Sequence, residues 1–358
     1  MNSFANPFKR LSLAAALCAT ALLAACGGGG GGSAASSNGA VNTATNGSNN
    51  GSNNGSNSGS NLASLPGSTL VTAQYAAGST SAEIFAKINA DRTQCGFPAY
   101  EENTVLDQAA AAHAFYLGAN ASFDTTKYGT AITSYETQGQ TGFTGVDGQL
   151  SAESFGWPAA IFSGRGDAGY TTNASLTGTQ YGDGLLDYWL SSAYDQVVVA
   201  APVAVIGLGD ASVPANGYPY YYGTIQIGDE VNITTGNAPL TFPCQGSSGL
   251  PYGGGLGAVP APPNMSAQGI GTPITIVGNP GDTITLQSAT MTGGSGSVAL
   301  QLLDSASDPN KVLATFEAVV YPTSPLQPNK QYVVTINGTD NGVAFTKTFG
   351  FATGSTFG

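Results

Sequence analysis

The stretch IFAKINADRTQCGFPAYEENTVLDQAAAAHAFYLGAN, residues 84–120, carries two helical patterns on either side of a short break. The first begins upstream at Ser79, a capping residue, and places Ile84, Phe85 and Ile88 on one face, which predicts a short helix from Ser79 to Arg92 with one side buried. The second starts at Asn103 or Thr104 and runs to about Asn120. In it Leu106, Ala110, His113 and Leu117 fall at i, i+4, i+7 and i+11, so the single histidine of the chain lies on the apolar stripe. That position reads most simply as a core histidine with one ring nitrogen bonded to backbone.

Downstream, residues 121–180 are rich in Gly, Thr and Ser and predict long loops with at most a strand or short helix. Within them the tripeptide Arg165-Gly166-Asp167 reads as part of a loop. LLDYWLSSAYDQ, residues 185–196, predicts a third helix from Leu185 to Tyr194, with Leu185, Leu186, Trp189, Leu190 and Ala193 on one side, followed by a turn. The strands Val203–Leu208 and Tyr220–Ile227 come next. Helices followed by antiparallel strands define an α+β domain, closing near Cys244. Residues 245–267 are a Gly/Pro-rich linker. Beyond them the pattern is all β, with strands at 274–277, 283–286, 298–303, 312–320, 332–336 and 343–351.

The N-terminus directs the compartment. Lys9 and Arg10 precede an apolar run too short to span a membrane, the charge order of an export signal over residues 1–25. It ends in Leu23-Ala24-Ala25-Cys26, where Cys26 fits the acylated cysteine of a bacterial lipoprotein and Gly27 favours outer-membrane sorting, periplasmic or surface-exposed. Residues 26–62 are almost wholly Gly, Ser, Asn and Ala with little to bury, and read as a disordered tether. Such a chain has an r.m.s. span of roughly 30–35 Å. Without the signal, 7 basic residues face 21 acidic ones, a net charge of −14 that disfavours nucleic acid as a partner. Outside the signal and Cys26 only Cys95 and Cys244 remain, and in an oxidising compartment they most simply form one disulfide. Closing a loop of about 150 residues, it contributes on the order of 5 kcal/mol by chain entropy.

Taken in order, N-x-x-R at Asn89 and Arg92, A-x-x-H-A at 110–114, G-F-T-G at 142–145, the 185–196 segment and V-x-x-I-G-L-G at 203–209 resemble the CAP superfamily, which contains cysteine-rich secretory proteins, antigen 5 and pathogenesis-related proteins. The resemblance covers about 80–232 and implies an α-β-α sandwich with a cleft over 63–244. In many members that cleft holds two histidines and two acidic residues, sometimes around a divalent metal. Here Ser134 or Tyr135 stands in the place of one histidine, next to Glu136. Ser192-Ala193-Tyr194-Asp195-Gln196 stands where S-x-Y-H-R is usual, so Asp195 replaces the other. Glu153 is either the second cleft glutamate or a surface residue. Separately, Leu326-Gln327-Pro328-Asn329-Lys330-Gln331-Tyr332 resembles the tyrosine corner of fibronectin-III and bacterial Ig-like sandwiches, implying such a module over 268–358.

A chain with one histidine cannot build a two-histidine site, and with both remaining cysteines paired no zinc-type donor set is left. The expectation is therefore a cleft without metal, cofactor or catalytic residue. If the cleft persists, Trp157 and the tyrosines at 218–222 are its apolar lining, although ordinary sheet packing also explains the tyrosines. The functional expectation is a lipid-anchored envelope protein that binds a small apolar ligand, a glycan or an envelope protein. The alternative is a hydrolase of cell-wall or other polysaccharide using a carboxylate pair drawn from Glu136, Glu153 and Asp195. A serine triad would have to recruit His113 from its apolar stripe, and no G-x-S-x-G motif is present.

Overall fold

Helix α1, Thr80–Gln94, begins where Ser79 accepts a hydrogen bond from Ala82 N through its side chain (3.1 Å), satisfying a donor that the first turn leaves open. This and the rest of the architecture come from a computed structural model that describes residues 62–358, with Asn173, Asn216 and Ser295 excepted. The expected signal, Cys26 and nearly all of the tether lie outside the described residues. Among those described, no helix is long and apolar enough to cross a membrane.

Strands β1 (Thr69–Leu70) and β2 (Glu101–Asn103) flank α1, and α2 (Thr104–Tyr128) follows β2 directly. Asn103 caps α2 by accepting from Val105 N and Leu106 N. The helix was expected to end near Asn120 but continues two more turns. Asn120 does not break it because its amide donates to Tyr116 O and Thr141 O (both 2.8 Å) from within the helix. Termination falls to Gly129, at φ 82°, a left-handed cap that favours glycine.

The 121–180 region holds more structure than its composition implies: α3 (Gly148–Ser154), capped by Asp147, then β3 (Ser163–Thr171). Helix α4 spans Gly178–Ser191, starting well before Leu185 because Thr177 and Gln180 form a reciprocal capping box. The expected turn after it is instead a short helix, α5, Asp195–Val199. Strands β4 (Val203–Ala215) and β5 (Tyr218–Glu230) extend past the predicted segments as a long hairpin.

These strands form one sheet in the order β1-β2-β4-β5-β3, antiparallel except for β2 with β4. Side-chain alternation sorts its two faces. Ile206, Leu208, Ile225 and Ile227 join the core of α1 and α4, whose Trp189 and Ile88 are at most 1% exposed. Val205 lies on the other face with Leu106 and Ala109 of α2 and with Trp157. There Gly207 and Gly209 let α2 rest on bare strand: an added Cβ would lie 2.0 Å from Leu106 C and 2.1 Å from Ala111 N.

The N-x-x-R residues brace this arrangement. Asn89 exchanges two hydrogen bonds with the Tyr100 backbone. Arg92, fully buried, stacks 3.5 Å over the Tyr100 ring and donates to Val199 O and Ala201 O at the carboxyl end of α5, where a cation suits the helix dipole. Burial lowers its pKa to about 10.

The C-terminal part is two four-stranded antiparallel sheets. Their strands are β6 (Leu240–Phe242), β7 (Ile274–Val277), β8 (Ile284–Gly293), β9 (Gly296–Ser297), β10 (Leu300–Asp304), β11 (Glu317–Pro322), β12 (Gln331–Asp340) and β13 (Val343–Ala352). One sheet runs β10-β11-β7-β6 and the other β13-β12-β8-β9. The hydroxyl of Tyr332 accepts from Gln327 N (2.8 Å). Taken together, the described residues are mixed α+β.

The two parts are closely joined. Strand β6 precedes Cys244 yet pairs with β7, and one hydrophobic core runs from Ile84 and Trp189 through Phe242 to Ile276, Val320 and Ile336. Residues 62–358 all fall in one compact unit. Segment 245–267 is not a free connector: Gly246 N donates to Gly350 O and Ser247 O accepts from Ala352 N (both 2.8 Å). Cys95 and Cys244 form the expected disulfide, with Cα atoms 5.3 Å apart.

Candidate functional site

His113 faces the sheet from the middle of α2 and is wholly buried. Its Nδ1 lies 2.9 Å from Glu136 Oε1, and its Nε2 lies 3.0 Å from Thr133 O and 3.4 Å from Asp167 Oδ1. The backbone contact follows the sequence reading; the pairing of the ring with Glu136, already a cleft candidate, and with Asp167 does not. Arg165 completes the cluster, with Nη1 3.5 Å from Glu136 Oε1 and with Nε and Nη2 donating to Ser134 O. All four charged residues are at most 5% exposed.

The other donors fix the protonation states. Glu136 also accepts from Thr144 Oγ1, Thr144 N and Gly145 N. Asp167 accepts from Ser134 Oγ and Thr224 Oγ1 (both 2.7 Å). Both carboxylates are thus supplied as anions. Burial pushes each upward, but for Glu136 the His113 hydrogen bond and the Arg165 charge prevail, and for Asp167 the His113 charge does, so both sit below their ordinary values. Both ring nitrogens of His113 then face acceptors only, an arrangement that favours the doubly protonated ring. Burial and Arg165 oppose that charge, yet Asp167 and Glu136 outweigh them and raise its pKa above 6.5. Two cations and two anions leave the cluster neutral. An imidazolium has no lone pair for a metal.

Arg165 and Asp167 correct the loop reading of Arg165-Gly166-Asp167. They occupy alternate positions on β3, so both side chains reach toward α2, while Gly166 faces the opposite side against Val198. The available signal was the run SGRGDAG, in which charges two apart are spaced by residues too small to cover a surface strand.

The remaining sequence candidates are dispersed. Ser134 and Glu136 belong to the cluster, and Tyr135 is half-buried beside them with its N–H on Thr133 Oγ1 (3.2 Å). Glu153 is on α3, accepting from Gln149 Nε2 (3.0 Å). Trp157 is no cleft lining: it is 2% exposed under α2 with Leu106 and Val205, and its Nε1 donates to Ile161 O (3.1 Å). The segment 192–196 turns toward the C-terminal sheets. There Tyr194 Oη donates to Asp308 Oδ1 (2.7 Å), and Gln196 bonds Pro273 O and Thr275 Oγ1. Asp195, half-buried at the start of α5, is raised to about 7 by burial, with the Asp167 charge adding to it. Tyr220 and Tyr222 share one side, ring centroids 4.7 Å apart, and Tyr221 stacks on Tyr181 from the other.

No protein-family model matches this chain, and no curated protein matches it.

Proposed function

We propose that the chain is an envelope lipoprotein, anchored through Cys26, whose 63–244 part is a CAP-like domain in which a closed charge cluster replaces the family's metal cleft. The domain acts as a binding or structural module, carried with an Ig-like sandwich over 268–358. The observation that carries this is the cluster itself: His113, Glu136, Arg165 and Asp167 lie against one another in a buried group in which two cationic side chains face two carboxylates. Helices on both faces of one sheet, the glycines beneath α2 and the Asn89–Arg92 brace support the CAP-like assignment. The Tyr332 to Gln327 hydrogen bond supports the Ig-like one. The partner class is a small apolar molecule, a glycan or another envelope protein.

Because the chain has one histidine, nitrogen-edited NMR of the ring reports on this site alone. The expected spectrum at pH 6 shows both ring nitrogens protonated and unchanged by zinc. A neutral tautomer that shifts on zinc addition refutes the closed-cluster reading. Native mass spectrometry of the same protein, scanned for a retained small molecule, addresses the partner.

A second reading, a carboxylate hydrolase, is favoured by one observation. Asp195 is raised to about 7 while neighbouring Asp167 is lowered, the divergence that acid and base roles require. Turnover of cell-wall fragments that disappears in Asp195→Asn would establish it over the first.

A further inference from the structure

At one end of the C-terminal sheets the turn between β7 and β8 meets the turn between β12 and β13. Asp340, the last residue of β12, is on the same side of the strand as the buried Tyr332, Val334 and Ile336, and it is 0% exposed. Neither of its carboxylate oxygens has a hydrogen-bond partner. Burying a carboxylate without a donor costs several kcal/mol, so the group must either hold a proton or face a cation. Among the described residues no lysine or arginine pairs with it.

Asp282 is close enough that its charge, after burial, helps raise the pKa of Asp340. Its own oxygens are oriented: Oδ2 accepts from Asn279 N (2.7 Å) and Oδ1 from Asn341 Nδ2 (2.8 Å). The same Asn341 nitrogen donates to Asn237 Oδ1 (3.2 Å), bringing a neutral side-chain oxygen to the group. The pairing of Asp340 with Ile284 brings the end of β12 alongside the start of β8, two residues after Asp282. No imidazole or thiolate belongs to this cluster.

We propose that Asp340 and Asp282 form a binding site for a hard divalent cation, calcium in particular, that ties the two turns together. Asp340 supplies both unpartnered oxygens, Asp282 a second carboxylate, and Asn237, backbone carbonyls and water the remainder. Carboxylate and carbonyl oxygens suit calcium or magnesium, and the uneven geometry of two turns suits calcium, because magnesium demands a near-octahedral shell. The site is remote from the His113 cluster in sequence and does not depend on its reading. Through Asn237, which accepts from Asn341, the ion would also hold the segment that follows β5.

The test uses the whole chain, stripped with chelator, titrated with calcium chloride in a calorimeter and melted with and without it. The expected dissociation constant is about 10⁻⁴–10⁻³ M, as in extracellular modules. At ten times that concentration the melting temperature should rise by about 2–4 °C. Asp340→Asn and Asp282→Asn should each abolish the rise, and Asp340→Asn should melt no lower than the ion-free parent, because it removes an unpartnered buried charge. Absence of calcium heat together with absence of a melting shift up to 10 mM overturns the proposal. So does a rise that persists in both variants, which would put the ion elsewhere.

Discussion

Replacing His113 with Gln keeps a polar side chain of similar reach but removes one of two cations from a buried group of four. Glu136 and Asp167 are then left facing Arg165 alone, one excess negative charge at a place where His113, Glu136 and Asp167 are each no more than 3% exposed. Breaking a buried ion pair in this way costs about 3–5 kcal/mol, because the orphaned charge keeps its desolvation cost. For a unit of this size that is a fall of roughly 5–8 °C in melting temperature. The double variant His113→Gln/Glu136→Gln removes one charge of each sign and restores neutrality, so it should be more stable than the sum of the two single changes predicts by about 1–3 kcal/mol. Urea unfolding of parent, singles and double across pH measures both quantities. The sign follows from the directions of the shifts. The raised His113 contributes fully below 6.5, and the contribution is lost as pH climbs through its folded value. The lowered Glu136 and Asp167 contribute fully above 4.5 and 3.8, and lose that contribution as pH falls through their folded values. The gap between parent and variant should thus be widest between pH 4.5 and 6.5. A cost under about 1 kcal/mol, or strict additivity, would refute the mutual-charge account.

Three other outcomes are expected. Gly207→Ala drives a methyl into the α2 backbone and should cost about 3 kcal/mol or prevent folding, whereas Gly350→Ala, whose nearest neighbour is 3.5 Å away, should stay within about 1 kcal/mol of the parent in the same denaturant titration. Asp195→Asn should be the more stable protein above pH 7 and lose that advantage toward pH 4, because the burial penalty on a raised carboxyl grows between its unfolded value of 3.8 and its folded value of about 7; urea midpoints against pH would show a flat difference if this were wrong. Reducing Cys95–Cys244 should lower stability by about 2–5 kcal/mol, read from melting with and without reductant, and an unchanged midpoint would mean that the bridge constrains nothing in the unfolded chain.

Short-range signals in the sequence marked where elements begin and which faces they bury. Ser79 and Asn103 are caps whose side chains reach donors two or three residues away, and the spacing of Ile84, Phe85 and Ile88 needs only helix geometry to name a buried face. The C-terminal strands were legible for the same reason, since alternation is local, and Ile274–Val277 is observed as predicted. The extension of α2 beyond Asn120 was not legible, because the groups that hold Asn120 in the helix include Thr141 O, 21 residues on. Nor was β6, too short to read until β7 pairs with it.

By itself the sequence determined the limits of the chemistry: one imidazole, a cysteine pair at 95 and 244, and an excess of acidic over basic residues. Only the tertiary structure decided what the imidazole is for. A histidine on an apolar stripe reads as packing, and a charge pair flanking a glycine reads as a loop. Folding α2 across the glycines of β4 and setting β3 at the sheet edge brings His113, Glu136, Arg165 and Asp167 together over 54 residues of chain. The physical reason is that charge pairing in a dry interior depends on separation in space, which no local pattern encodes. Asp340 follows the same rule: its burial without a donor is invisible until the strand ends meet.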